Sequence, residues 1–244
     1  MELVKFVDIK KSFKKKEVLK GVSFSIESGE ICGLMGMSGC GKTTLFNILM
    51  GLVNKDEGDI FFRGEKIENN FNKIRCEWGF ATQASMIFEE LSIRENCNYF
   101  GSLYGLRRKK IKEKLDELLK LFKLSEFENE LIRNLSGGMK KRANLLVSLI
   151  HSPSLLILDE PTVGLDPVLR SILWSYIKNI NKTGTTILVS SHLAEEIEQN
   201  CSNILIMKNG KIAADAKPKE YFEKYNKFKD LEGIFTMLMK DENI

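Results

Sequence analysis

The sequence has no apolar segment approaching the roughly 18 residues needed to cross a bilayer, so the chain is not expected to span a membrane. Any membrane role has to come through a partner. The N-terminus, MELVKFVDIKKSF, alternates like a strand and lacks the apolar run of a signal peptide. There is no C-x-x-C pair: Cys32, Cys40, Cys76, Cys97 and Cys201 are odd in number and lie mostly in apolar runs. That usage suits a reducing cytosol and argues against a disulfide framework or a zinc site. Charge of one sign is scarce as well. The net charge of +4 is small for 244 residues, and the basic clusters Lys14–Lys16, Arg107–Lys110 and Lys140–Arg142 are scattered and interleaved with acids. No nucleic-acid partner is expected. Internal repeats and low-complexity linkers are also lacking.

What is present is enough apolar residues, 43% of the chain, to bury the core of one large domain or of one domain with a lobe. Strands are predicted near Leu3–Ile9, Val22–Ile26 and Ile31–Met35, followed by a helix after Lys42 that closes around Gly51. GDIFFRGEKI reads as a hairpin turning at Arg63-Gly64, and Trp78–Ala81 as a short strand ending at Gln83. From Ser92 to Ile150 the texture is helical, with Ile111, Leu115, Leu118 and Phe122 at helical spacing; this stretch reads as an inserted helical lobe with solvated charged faces. After Pro153 the strands return. LLILDE is a continuous apolar run of the kind buried on both faces, TTILVSSH is another behind a helix Leu169–Ile180, and ILIMKNGKIAA is a hairpin turning at Asn209-Gly210. Strands alternating with helices give an α/β fold with a mostly parallel sheet.

Between the run Ile31–Met35 and the helix-like run Leu45–Leu49 stands GMSGCGKTT, Gly36 to Thr44. A strand that ends in a glycine-rich turn and opens a helix aims unpaired N–H groups and the positive helix end at one spot, which suits phosphate. The spacing of Gly36, Gly41, Lys42 and Thr43 fits G-x-x-x-x-G-K-[ST], in which amides cradle phosphates, lysine reaches the β and γ groups and the hydroxyl holds Mg²⁺. The bland alternative is a glycine turn that caps an ordinary helix.

Two further stretches carry chemistry. LLILDEP places Asp159 and Glu160 at the carboxyl end of a buried strand, the edge at which ligands bind in open α/β sheets. There Asp159 can reach Mg²⁺ and Glu160 can polarise water, unless the pair caps the next helix. LSGGMKKR sets Ser136 and two glycines before an amphipathic helix, a second anion site. With one phosphate loop in the chain, a second anion site suggests contact with the nucleotide of another copy; the alternative is that Ser136 is a plain N-cap.

These residues resemble the nucleotide-binding subunits of ATP-binding cassette (ABC) transporters. GMSGCGKTT looks like the Walker A loop, Gln83 in FATQ like the Q-loop, LSGGM like the signature motif, LLILDEP like the Walker B strand, GLDP like the D-loop and His192 in LVSSH like the switch histidine, in the family's order over nearly the whole chain. The resemblance implies a P-loop NTPase (RecA-like) core with an N-terminal antiparallel β subdomain and an inserted signature lobe. It implies one domain over residues 1–244, the lobe at about 88–150 and a helical tail at about 217–244. Gly36, Met37, Ser38, Gly39, Cys40, Gly41, Lys42, Thr43 and Thr44 would bind ATP. Thr43, Gln83 and Asp159 would surround Mg²⁺. Glu160 would activate water, with His192 and Gln83 in catalytic contact. Ser136, Gly137, Gly138 and Asp166 would touch the nucleotide of the partner copy. Phe13 falls where the family places an aromatic that stacks on adenine, usually tyrosine.

Met139 departs from the family's usual glutamine, which puts the finer contacts of the signature motif in doubt. Cys40 inside the loop would make nucleotide binding sensitive to thiol reagents, since the loop is expected to be partly exposed, and His151 reads as structural. SIRENCNYFGSLYGL and the tail DLEGIFTMLM resemble exporters whose ATPase is a separate chain. The resemblance therefore implies an ATPase that dimerises on ATP with a second ABC subunit and powers an integral membrane permease from the inner face of the cell membrane. The alternative is a soluble ABC ATPase of the iron–sulfur cluster assembly type.

Overall fold

The alternating start of the chain forms β1 (Glu2–Phe13), which turns at Lys14, φ 56°, into β2 (Lys16–Glu27). Its alternation buries Val4, Phe6 and Ile9 against Leu19, Val22 and Ile26, and the paired rings of Phe6 and Phe24 stack at 4.4 Å. Burying one such side chain is worth about 1.5–3 kcal/mol. β4 (Glu57–Phe62) and β5 (Glu65–Lys66) complete an antiparallel sheet of order β2-β1-β4-β5. The β4–β5 turn is at Arg63-Gly64, where both residues have positive φ, as a tight two-residue hairpin turn requires. The computed structural model describes residues 1–67, 74, 76–82 and 86–240. They fall into two units, Met1–Phe71 with Thr186–Ile244, and Asn72–Thr185.

The first unit also holds β3 (Ile31–Gly36), flanked in parallel by β8 (Thr186–Ser191) and β9 (Asn203–Lys208), with β10 (Lys211–Ala216) antiparallel to β9. Every residue of β3 and β8 is buried, as continuous apolar runs with two covered faces require. α1 (Lys42–Leu49), α6 (Ala194–Asn200), α7 (Pro218–Lys224) and α8 (Leu231–Lys240) complete this unit. α8 buries Leu231, Ile234 and Leu238, and Lys208 Nζ donates to the Leu238 carbonyl at 3.0 Å.

In the second unit β6 (Trp78–Ala81) pairs in parallel with the wholly buried β7 (Leu155–Asp159). α2 (Ile93–Leu103) opens with a capping box: Glu95 N donates to Ser92 Oγ at 3.2 Å and Ser92 N to Glu95 Oε2 at 2.8 Å. Those bonds hold the Glu95 carboxyl below its usual range. α3 (Arg108–Phe122) buries Ile111, Leu115, Leu118 and Phe122, the residues whose period marks the helix in the sequence. α4 (Gly137–Ser148) and α5 (Pro167–Lys182) follow, α5 capped by Asp166, whose carboxylate accepts from Val168 N and Leu169 N at 2.9 and 3.0 Å. The sequence-based bounds of β1 and β2 are too short, and α6 is missed. No helix among the described residues is long and apolar enough to cross a membrane.

At the β9–β10 turn, Asn209 and Gly210 have φ of 50° and 81°, and a Cβ on Gly210 would collide with the Val18 carbonyl oxygen. Gly210→Ala is therefore expected to cost about 2 kcal/mol or more and to lower the thermal midpoint by about 4–8 °C. Thermal denaturation followed by circular dichroism checks this; an unchanged midpoint would mean that the turn does not hold β2 against the hairpin.

Candidate nucleotide site

The glycine-rich loop joins β3 to α1, and its shape is set from behind. Gly36 lies opposite Met207 of β9 in parallel register; a Cβ there would sit 2.7 Å from the Met207 carbonyl oxygen and 2.5 Å from Cys40 Sγ. Gly41, φ 117°, is the N-cap of α1, and a Cβ on it would sit 2.8 Å from Met207 Cε and from Leu19 Cδ2. Met37, Ser38, Gly39 and Thr43 are exposed on the outer side, Thr44 is half-buried, and Cys40, Gly41 and Lys42 are buried. α1 has no acidic residue in its first turn and no side-chain cap, so nothing of its own competes with an anion for its positive end.

Lys42 is only 6% exposed, and its ammonium donates to Gly36 O at 2.7 Å and Met37 O at 3.4 Å. The cation folds back on the loop's own carbonyls. Cys40 is likewise buried, and burial, opposed by the charge of Lys42, raises its thiol pKa. The expected thiol sensitivity assumed a partly exposed residue; the loop exposes its other face.

His192 follows β8 directly and is exposed. Because Met35 pairs with Ser191, the histidine stands one step beyond that register, at the edge where Gly36 begins the loop. A cavity of about 400 Å³ opens beside Ser38 and Gly39, with Lys16 and Val18 of β2 and Asn209 on its other walls. Phe13 is 47% exposed at the end of β1, with Lys11 Nζ 5.4 Å from its ring centroid; it lies outside the lining of that cavity.

In the second unit Asp159 ends β7 and is 6% exposed, and half-buried Glu160 takes φ 47°. A positive φ at a non-glycine residue is a strained conformation of the kind that gathers at functional sites. Nothing in LLILDEP announces it. Ser136 caps α4, Oγ accepting from Met139 N at 3.3 Å, so Met139 contributes its backbone there. This use of one lone pair leaves the serine O–H proton for another acceptor. Leu169, one turn past the α5 cap Asp166, lies against Gly138, with 3.2 Å between its Cδ1 and an ideal Cβ there. Gly138 and Leu169 line a groove of about 390 Å³, whose lining includes neither Gly137 nor Asp166. His151 stacks on Tyr104 at 3.7 Å and bonds the Trp78 carbonyl, and burial lowers its pKa to about 4. It is structural. Gln83 lies outside the described residues.

A parallel β-sheet edge that delivers a glycine loop, a lysine and a helix N-terminus defines a P-loop NTPase. The chain belongs to the ABC transporter family, whose model matches residues 19–163, and its domain is that family's ATP-binding, ATPase domain. It is 39% identical to the linearmycin resistance ATP-binding protein LnrL of Bacillus subtilis (strain 168), over 85% of this chain and 67% of that one. It is 36% identical to the Nod factor export ATP-binding protein I of Rhizobium sp. (strain N33), over 89% of this chain and 71% of that one. Among solved structures, an ATP binding subunit of an ABC transporter superposes with a TM-score of 0.88 at 26% identity, covering 98% of this chain and 100% of the other. A second, cbiO1 from Clostridium perfringens, part of the ABC transporter complex cbiONQ, gives 0.84 at 27% identity, covering 97% and 98%.

The burial of Cys40 yields a direct expectation. Near neutral pH, Cys76, the exposed thiol, should react with Ellman's reagent at once, and Cys32, Cys40, Cys97 and Cys201 only after unfolding. Mass mapping of the labelled chain decides it, and prompt labelling at Cys40 would show that the loop turns over without ligand.

Proposed function

We propose that the chain binds ATP with Mg²⁺, closes with a second ABC subunit around two nucleotides, and hydrolyses them to drive an integral membrane permease in export. One observation carries this reading: beside the glycine–lysine loop that opens α1 at Lys42, a second glycine-opened helix start suited to an anion stands at Gly137, without a lysine loop of its own. The second start serves the nucleotide of the partner copy. Export is favoured by the name of the Rhizobium relative, and a place on the inner face of the cell membrane follows from the permease.

In this reading the amides of Ser38 to Thr44 and the ammonium of Lys42 hold the phosphates, with Gly36 and Met37 shaping the loop and Phe13 stacking on adenine. Lys42 exchanges the Gly36 carbonyl for phosphate, a stronger, charge-assisted bond. Thr43, Asp159 and Gln83 offer hydroxyl, carboxylate and amide oxygens, and the described residues hold no group of three or more His, Cys, Asp or Glu that could bind a metal. Such a donor set fits Mg²⁺, which keeps waters and takes phosphate oxygens. When bound it neutralises charge on the β- and γ-phosphates. Glu160 orients the attacking water and accepts its proton, and His192 contacts the γ-phosphate. Ser136, through its unspent O–H, with the amides of Gly137 and Gly138, and Asp166 reach the partner's nucleotide.

Glu160→Gln should keep ATP binding and lower hydrolysis by about a hundredfold or more, the worth of a general base; near-normal steady-state turnover would remove Glu160 from that role. Lys42→Ala should weaken ATP binding by about 10- to 100-fold in a titration, the worth of one charged hydrogen bond. An unchanged affinity would make the lysine purely a brace of the loop. Mixing inactive Lys42→Ala and Ser136→Arg chains should restore one composite site, and specific activity should rise with protein concentration. A rate strictly proportional to concentration, where mass measurements show monomer, rejects the shared site.

A further inference from the structure

The tail helix α8 reaches the cavity beside the phosphate loop. Met239, half-buried in its last turn, lines that cavity together with Ser38 and Gly39, and so does Lys208 at the end of β9. Lys208 is 9% exposed, and its ammonium donates to the Leu238 carbonyl in a buried bond at 3.0 Å. That carbonyl is one of the last four of α8, which lack partners within the helix, so the lysine caps the negative end of α8. The ATPase roles assigned above use neither Lys208 nor Met239.

The walls of the cavity are held in different ways. β2 and the β9–β10 turn are joined through the backbone, Lys20 N donating to Gly210 O at 2.8 Å, and the loop is backed by Met207. α8 is fastened by side chains: Lys208 at its end, and at its start Glu198 of α6, whose carboxylate accepts from Leu231 N at 2.8 Å. Between these points Leu231, Ile234 and Leu238 are buried. A helix of 10 residues is too short to hold its shape alone in water, so its order comes from this seat. Seat and cavity share one wall. A ligand that fills the space takes water from Met239 and shields the bond between Lys208 and Leu238, and a loosened α8 opens the same space to solvent.

We propose that α8 is a nucleotide-responsive wall of this cavity. The part of ATP that leaves the loop at Ser38 and Gly39 covers the cavity and seats the end of α8, and the seated helix in turn tightens ATP. The inference rests on the reading of the loop as an ATP site. Lys208 acts through α8 as a positioning residue, and Met239 supplies the apolar contact. The coupling is reciprocal, since whatever ATP adds to the seating of α8, the seating adds to the affinity for ATP.

Amide hydrogen exchange reads the seat, and a titration reads the affinity. Both use the full chain with Mg²⁺ and the slowly hydrolysed analogue adenylyl imidodiphosphate, at a concentration where mass measurements show monomer. The analogue should slow exchange in the last turn of α8 by about fivefold or more, the lower end of common coupling strengths. Lys208→Met, which has no donor, should speed that exchange in the absence of ligand. Lys208→Met and Met239→Ser should each weaken analogue binding by about fivefold or more. Tyr221→Phe removes the bond from Tyr221 Oη to the Ile204 carbonyl at 3.1 Å, away from the cavity, and should leave the affinity unchanged. Circular dichroism melts confirm that each variant is folded; should one fail to fold, the exchange of the unaltered chain with and without analogue decides alone. Unchanged exchange in α8 on binding, full affinity in folded Lys208→Met or Met239→Ser, or an equal loss in Tyr221→Phe would overturn the inference. In each of these the unaltered chain still binds, and the ATP reading stands. No binding by the unaltered chain would reject that reading and this inference together.

Discussion

The phosphate loop must show bare backbone outward, so the space behind it has to be filled by something other than its own side chains. Met207 does that at both hinges of the loop, beneath Gly36 and Gly41, and Cys40 and Leu19 close what remains. The loop is therefore fixed by the parallel pairing of β3 with β9, two strands far apart in the chain. Within it the ammonium of Lys42 already has the Gly36 carbonyl. In the proposed reading, phosphate binding is then an exchange of partners, and its strength is the difference between an ammonium–carbonyl bond and an ammonium–phosphate bond, not the whole of the latter.

The two glycine-opened helix starts, those of α1 and α4, are built differently. α1 has a buried cation beside its N-terminus, whereas the basic run after the signature glycines is tied down: Lys140 to Glu89 and Arg142 to the Phe122 carbonyl at 2.9 Å, with burial lowering the pKa of Lys141. α4 thus presents amides and one hydroxyl without a committed cation. Such a surface suits an anion whose charge is already compensated elsewhere, which is what a nucleotide seated on another copy's lysine and metal would be.

Much of this was legible in the sequence where local rules decide. Arg63-Gly64 and Asn209-Gly210 mark their turns because both positions need positive φ, and the period of Ile111, Leu115, Leu118 and Phe122 marks α3. Trp78–Ala81 reads as the strand it is. The ends of β1 and the start of β2 were hidden because KKSFKKKEV is polar; part of its hold is ionic, Lys11 with Asp56 at 2.6 Å, and depends on a distant residue. α6 was hidden by its shortness and by Leu193, which offers no side-chain cap. The backing role of Met207, the burial of Cys40 and the left-handed backbone of Glu160 were invisible for a common reason. Each is imposed by a neighbour in space, and no residue-type preference at the position itself reports it.

The order of the motifs along the chain also differs from the way the units are composed. The loop and His192 belong to a unit made from both ends of the chain, while Ser136, Glu160 and Asp166 lie in the intervening Asn72–Thr185. Such an insertion is thermodynamically cheap, since the entropy of closing a loop rises by only about 0.6 kcal/mol for each doubling of its length. It is kinetically demanding, because β3 gains its two parallel neighbours only when residues beyond Thr186 arrive. Until then a strand of six buried residues has an open edge on each side. The glycine-rich loop, whose shape depends on Met207, cannot be formed before that pairing, so the ability to hold a nucleotide should be among the last properties the folding chain acquires.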